Sequence, residues 1–503
     1  MHILSGLDAL FLYLETPQTP MHIGSFCLYD PPELLKGSMH KAIKAHIAKR
    51  LHLAPVFTRK LGLMPLDMGH PVWVDAEPVD LNFHIRQVKG NTLTVWEAES
   101  ICAELHSRLM DRSQPLWEFH VFEHIQRPDG SLCAGVYSKI HHAALDGKGG
   151  TVLTNAIMDL GPVPRDVPQP KRSRRARAAP ALKTGEMISA VLSTSLSQYV
   201  NLIKALPQAA RAFGSTLFKQ TAAGSGHGSR PKSPIQLAPM TDFNVAITNE
   251  RSFGTARLPF ADCRTMARAT GGTFNDIVLW ICATALRTYL KKHGGIPTQS
   301  LLAAMPINLR EEGNEDFNTQ ASMTVVELGT QWADPLKRLK TIMTSTAKVK
   351  TARSDLKDVI PTDFPSLLAP WVVGGAAKAA FKVYSATELS HHLPMMANLV
   401  ISNVPGPKVP LYMAGGRMLT FHPLSIVIHG VALNITIQTY AGQVDFGVIA
   451  DKRAMPEVHD LTDAILQAFA LGQQVLAPSP VPMANPAPVL AAPAPKKTRK
   501  KAI

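Results

Sequence analysis

The sequence predicts an α/β protein built from two mixed domains, and three observations carry that reading. Segments patterned as strands and as helices are mixed through both halves of the chain. A Pro- and Arg-rich stretch that cannot bury a core separates them, and 503 residues at 46% hydrophobic content suffice for two ordinary cores.

Dense hydrophobic patterning fills residues 1–160, which we read as the N-terminal domain. It gives way to PVPRDVPQPKRSRRARAAP, and residues 161–241 form a basic linker. Inside the linker Met187, Ile188, Val191, Leu192, Leu196, Tyr199, Val200 and Ile203 recur at helical steps, with Ser189, Ser193, Ser197, Asn201 and Lys204 opposite. That pattern predicts an amphipathic helix, which could pack on its own domain or lie in a membrane interface. Regular patterning resumes over residues 242–476, the C-terminal domain. Residues 477–503 are Pro/Ala-rich, basic and of low complexity, and are expected to be disordered. Within the domains, residues 131–140 read as a strand and residues 274–292 as a helix stopped by Gly294 and Gly295. Residues 431–440 read as a strand that the Gly442 turn joins to VDFGVIAD in a hairpin.

The net charge of +14 is concentrated rather than spread. Residues 165–183 hold seven Lys and Arg against one acid, and the tail holds five against none. Two basic segments without interleaved aromatic residues point away from nucleic acid; they fit either lipid phosphates or plain solvated segments. The five cysteines form no C-x-x-C pair, and an odd number fits a reducing cytoplasm. The N-terminus lacks a basic leader and meets Asp8 and Glu15, a poor secretory signal. No uninterrupted apolar run approaches the roughly 18 residues of a spanning helix, so any membrane contact is expected to be peripheral.

The chemistry is concentrated in KIHHAALDGKGG, residues 139–150, where a strand-like run ends in His141 and His142 and passes into a glycine-rich turn. Neighbouring side chains of a strand point to opposite faces, so the pair is a poor metal site, and no metal is expected. Two uses remain: hydrogen-bonded core histidines, or a general base displayed at a strand end. A neutral imidazole, with its ordinary pKa of about 6.5, can take the proton of an alcohol that attacks a thioester.

HHAALDG matches the HHxxxDG motif of the coenzyme A-dependent acyltransferase superfamily, to which chloramphenicol acetyltransferase belongs. The opening LSGLDALFLYLETPQTPMHIG, PLWE (115–118), FNDIVL (274–279), PINLR (306–310), ISNVPGP (401–407) and HGVALNITIQTYAG (429–442) follow in order. Together they resemble the bacterial wax ester synthase/diacylglycerol acyltransferase family over nearly the whole chain apart from linker and tail. The resemblance implies two chloramphenicol-acetyltransferase-like domains with an active-site tunnel between them. It implies His142 as general base, His141 as its support, and Asp146 facing away from substrate and pairing with an arginine, for which Arg310 is the candidate. Gly147 would keep the backbone clear beside the channel, and Lys148 could approach the coenzyme; the residues that bind coenzyme A are otherwise unassigned.

Asn275 and Asp276 belong to the family's Asn-Asp motif, yet Thr273 as a helix cap and Asp276 in the first turn account for them structurally. PLWE and SNVPGP are likewise expected to shape the domains. The second pair, His391 and His392, lacks the Asp-Gly and is taken as non-catalytic. No G-x-S-x-G elbow and no P-loop is present.

The implied reaction moves a fatty acyl group from acyl-CoA, a co-substrate, onto a long-chain alcohol or a diacylglycerol, giving wax ester or triacylglycerol. No cofactor is expected, and the place of action is expected to be the cytoplasmic face of the membrane or a lipid-droplet surface. Two rivals stay open at this level: a related acyltransferase with another hydroxyl or amine acceptor, and a catalytically silent lipid-surface protein.

Overall fold

The computed structural model describes residues 2–32, 35, 37–62, 71–76, 78–145, 149–169, 237–308, 321–356 and 395–476. The linker helix, the tail, Asp146, Gly147, Lys148, Arg310, His391 and His392 lie outside the described residues.

In chain order the N-terminal half runs β1 (His2–Ile3), α1 (Gly6–Leu14), β2 (His22–Asp30), α2 (Met39–Ala48), β3 (Arg59–Gly62), β4 (Val72–Asp75), α3 (Leu81–His84), β5 (Ile85–Gln87), β6 (Leu93–Thr94), α4 (Val95–Ser107), β7 (Trp117–Gln126), β8 (Leu132–His141) and α5 (Gly149–Ile157). The C-terminal half runs β9 (Arg251–Pro259), α6 (Phe260–Thr270), α7 (Phe274–Lys292), β10 (Leu302–Asn308), β11 (Ala321–Glu327), α8 (Pro335–Leu356), β12 (Leu399–Val404), β13 (Tyr412–Met413), β14 (Gly416–Met418), β15 (His422–Leu424), β16 (Leu433–Tyr440), β17 (Gln443–Asp451) and α9 (Val458–Val475). This is the mixed α/β architecture that the patterning predicts.

The C-terminal core is a six-stranded sheet, ordered β11-β10-β12-β16-β17-β9. Helix α7 is apolar on nearly every face, and it is correspondingly buried from Asp276 to Leu286 and again at Tyr289 and Leu290, packed against α9. A reciprocal capping box starts it: Asp276 N–H donates to Thr273 Oγ1, and Thr273 N–H returns a bond to Asp276 Oδ2. The expected hairpin joins β16 to β17, with Leu433 opposite Ala450 and Tyr440 opposite Gln443. Its two turn residues, Ala441 and Gly442, both have positive φ (46° and 81°), the twist that suits a two-residue hairpin.

The N-terminal half holds the larger, eight-stranded sheet, whose main path is β13-β14-β2-β8-β7-β5, and a small sheet ordered β1-β4-β3. Three strands of the large sheet come from the other half of the chain: β13 and β14 extend it beyond β2, and β15 also pairs with β2, Leu424 opposite Gly24. Residues 412–424 thus cross over. The chain divides spatially in a way that its linear patterning does not show, because short strands completed by a distant partner carry almost no periodic signal.

Two contacts seat the crossover. A side chain at Gly447 of β17 would collide with the backbone carbonyl of Pro423, so only glycine admits β15 this closely. Asp445, fully buried, accepts the Phe421 N–H at 2.8 Å and lies 2.9 Å from Arg257 Nε. Burial pushes its carboxyl up to about 7 against the pull of that guanidinium and N–H. Elsewhere the halves meet where buried Glu99 of α4 bonds Thr255 of β9 and lies 2.7 Å from His459 of α9.

Candidate active site

Strand β8 delivers both histidines to one end of the large sheet. His141, its last residue, lies opposite His22 of β2 and donates its N–H to the Leu116 carbonyl at 3.1 Å. His142 then leaves the strand, donates its N–H to Met21 O at 2.9 Å, and opens a single 3-10 turn, His142–Ala144, closed by Leu145 N–H on the His142 carbonyl. The two imidazoles part as neighbours in extended chain should. His141 is fully buried and His142 half-buried.

His141 is fixed from both sides. Its Nδ1 accepts the Ala143 N–H at 3.1 Å, which leaves the ring proton on Nε2, 3.2 Å from Glu15 Oε1. Glu15 follows the last turn of α1 and holds several groups at once. Its Oε1 accepts the Met21 N–H at 3.1 Å, and its Oε2 takes two bonds from Arg112, at 3.1 and 2.7 Å. Arg112 also donates to the Leu12 carbonyl at 2.8 Å, which ties α1 to the loop before β7. Burial alone would raise the Glu15 pKa. His141 and Arg112 outweigh it and hold the carboxylate at about 2.

His142 is placed by packing. The Phe11 ring of α1 stacks on it at 3.9 Å between centroids and 18° between planes. Around this pair Leu4, Ala9, Leu12, Leu61, Met110 and Leu116 form a small apolar cluster with Ala143. Its Nδ1 is buried and bonds no other residue among the described ones. Burial drives its pKa down to about 4; its own carbonyl opposes that shift and His141 adds slightly to it. The ring is therefore neutral near pH 7, as a proton acceptor must be.

Beneath the histidines lies a buried polar layer that reaches the other half. His106 bonds Tyr137 Oη at 2.7 Å through Nδ1 and lies 3.1 Å from the carbonyl of Ser425, the residue after β15. Lys139, fully buried, donates to the carbonyls of Leu105 and Arg108 at 3.0 Å each. Near α1, Arg251 of β9 bonds the Gln18 carbonyl. The histidine turn therefore sits at the seam between the halves, with parts of both close by.

The remaining candidates behave as framework where they are described. Asp276 Oδ1 accepts from Thr346 Oγ1 at 2.7 Å while Oδ2 serves the cap, so both carboxylate oxygens are engaged in structure. Asn275 Oδ1 accepts from Asn403 Nδ2 at 3.3 Å, joining the FND and SNVPGP motifs. In PLWE, Trp117 is buried with its Nε1 on the Phe57 carbonyl at 3.2 Å, and Glu118 pairs with His120 at 3.0 Å. Among the described residues no group of three or more His, Cys, Asp or Glu converges as a metal site.

Sequence reasoning missed Phe11, Glu15 and Arg112. Phe11 and Glu15 both lie in the opening motif, Phe11 on α1 and Glu15 just past its last turn, so that stretch was a visible hint. Arg112 carried no local signal, because its partner is 97 residues away.

The wax ester synthase/diacylglycerol acyltransferase catalytic-domain model matches residues 4–278, and the C-terminal-domain model of the same family matches residues 318–471. The chain is 30% identical over 487 residues to O-acyltransferase WSD of Acinetobacter baylyi, covering 95% of this chain and 98% of that one. Its fold matches the wax ester synthase/diacylglycerol acyltransferase of Marinobacter aquaeolei VT8 with a TM-score of 0.65 at 26% identity, over 95% of this chain and 100% of that chain. A trichothecene 15-O-acetyltransferase of Fusarium sporotrichioides shares the fold alone, with a TM-score of 0.51 at 10% identity over 94% of each chain. With both family models matched in order across one chain, the protein belongs to the wax ester synthase/diacylglycerol acyltransferase family and is an acyltransferase.

Proposed function

We propose that this enzyme transfers a fatty acyl group from acyl-CoA to the hydroxyl of a long-chain alcohol or a diacylglycerol, with His142 as general base and no metal or redox cofactor. The observation that carries this reading is the state of His142: a neutral, desolvated imidazole at a strand end with its Nδ1 buried, so that we assign the substrate's proton to Nε2.

In this scheme the acceptor hydroxyl gives its proton to Nε2 as its oxygen attacks the thioester carbon. The tetrahedral adduct collapses, the C–S bond breaks, and the leaving sulfur takes the proton back from the imidazolium. Ester and free coenzyme A leave, and no acyl-enzyme forms. Water must be kept out for transfer to outrun hydrolysis, and the same exclusion depresses the base's pKa. His141, Glu15 and Arg112 hold the turn that bears the base. Asp146, Gly147 and Arg310 keep the supporting roles that the motif implies, and the substrates meet in a passage at the seam between the halves.

No described helix is long and apolar enough to cross a membrane. We place the enzyme peripherally, at the cytoplasmic face of the membrane or on lipid droplets, consistent with its basic linker and tail. Turnover of palmitoyl-CoA with hexadecanol and with dioleoylglycerol tests the reaction. His142→Ala should lose a factor of roughly a hundred to ten thousand with either acceptor. Undiminished ester formation by a folded His142→Ala enzyme would refute the mechanism.

A further inference from the structure

One face of the C-terminal half combines exposed apolar side chains with a row of lysines. Trp332, Leu336, Met323 and Met396 are 43, 55, 57 and 61% exposed. Trp332 and Leu336 stand at the entry to α8, Met323 on the edge strand β11, and Met396 just before β12. A groove of about 800 Å³ runs between β11 and α8, lined by Trp332 and Met396 and by Val325, which shares a face of β11 with Met323. Single exposed apolar residues are ordinary; Trp332 and Met396 lining one groove, with Met323 and Leu336 on the strand and helix that form its walls, make a patch that calls for a partner.

The wall formed by α8 is cationic. Lys337, Lys340 and Lys348 all line the groove, and steps of three and eight residues set them on one side of the helix, while Leu339 and Ile342 bury the other side in the core. Lys337 Nζ lies 5.8 Å from the Trp332 ring centroid. One carboxylate, Glu327, stands on the wall, 3.5 Å from Gln331 Nε2. A soluble anion would have no use for the four projecting apolar groups, and an apolar partner would have none for the lysines. Ammonium groups beside an aromatic and aliphatic rim suit a surface that is anionic at its headgroups and hydrocarbon just beneath.

We infer that this face docks the enzyme onto an anionic phospholipid surface. Trp332, Leu336, Met323 and Met396 would enter the interface, and the three lysines would meet lipid phosphates. The proposed acyl transfer explains why such an enzyme would seek lipid, but the docking surface stands on its own residues. It is distinct from the basic linker and tail.

The test is co-sedimentation of the full chain with vesicles of phosphatidylcholine alone and of phosphatidylcholine with 30% phosphatidylglycerol. At about fivefold per basic side chain, Lys337→Gln/Lys340→Gln/Lys348→Gln should lower the partition coefficient on the anionic vesicles about a hundredfold. Trp332→Ala/Leu336→Ala should weaken binding to both vesicle types. Both variants should keep wild-type turnover of palmitoyl-CoA and detergent-solubilised hexadecanol. His142→Ala should bind vesicles like the parent while inactive, which separates failure of this proposal from failure of the mechanism. Unchanged partitioning of the lysine variant would overturn the inference. So would an elevated KM for palmitoyl-CoA, or lost turnover on solubilised substrate, since either would assign the lysines to the substrate path.

Discussion

If His142 is the base, the acid limb of kcat/KM should lie near pH 4 rather than at the ordinary histidine position, and removing the Phe11 ring should move it back up. Burial holds the His142 pKa at about 4, and Phe11 covers one face of the ring at 3.9 Å. At about pH 5.5 an ordinary imidazole is only roughly one-tenth neutral, whereas one near 4 is almost wholly neutral. The parent should therefore hold nearly constant kcat/KM for palmitoyl-CoA down to about that pH, where an unburied base would have lost roughly tenfold. Phe11→Ala admits water to the ring face, so its limb should shift upward by about one pH unit or more and its plateau should fall as the ring loses orientation. The assay is initial rate against pH at limiting palmitoyl-CoA, with the folded fraction checked at every point. The check matters because a histidine with its folded pKa depressed below 6.5 resists protonation only while folded. It subtracts stability as pH falls from the unfolded value toward about 4. A parent limb near 6.5, or a Phe11→Ala limb that stays at about 4, would refute the claim that burial beneath Phe11 sets the state of the base.

Other perturbations separate chemistry from framework. Glu15→Gln keeps the shape but removes the charge shared by His141 and Arg112, so kcat should fall roughly ten- to a hundredfold with little change in the KM for palmitoyl-CoA, measured by steady-state kinetics. Glu15 itself, held at about 2 when folded, contributes stability above its unfolded pKa that is lost as pH falls from about 4.5 toward 2; acid unfolding of Glu15→Gln should lack that component. Asp276→Ala removes the returning half of a capping box and the Thr346 bond to its carboxylate, leaving that hydroxyl only the Met343 carbonyl, and should cost about 1–2 kcal/mol in urea unfolding while the folded enzyme keeps kcat within a few-fold. Gly447→Ala should cost about 3 kcal/mol or more, because the added methyl meets the Pro423 carbonyl in the crossover.

How much of this was legible in the sequence depended on how local the signal was. Helix α7 matched its expected span because cap, apolar run and terminal glycines lie within one segment, and the β16–β17 hairpin was readable from alternation and a turn glycine. The position of His141 and His142 at a strand end was also readable. Their opposed surroundings, one ring held by Glu15 and the other under Phe11, follow from α1 folding back across more than a hundred residues. The crossover was invisible for the same reason. Strands of two or three residues, such as Gly416–Met418 and His422–Leu424, have no period of their own and exist only because β2 pairs with them.

That crossover bears directly on the chemistry. If His142 is the base and the substrates meet at the seam, as proposed, the separation of the halves must be fixed closely, since an error of about 1 Å in the reacting geometry can cost roughly a hundredfold in rate. A covalent connection alone could not hold that tolerance. Here β15 pairs with β2 and runs antiparallel to it, toward the end where His22 faces His141, and the chain that follows brings the Ser425 carbonyl to His106. The positions of the two halves at the site are thus set by backbone pairing rather than by a loose interface, and the polar layer under the histidines is completed by a residue from the opposite half. Polar contacts from Glu99 to Thr255 and His459 secure a separate part of the seam. The crossover is therefore the element whose disturbance should reach the base without touching it. In Gly447→Ala, any kcat lost beyond the unfolded fraction would measure how strongly the seam positions His142.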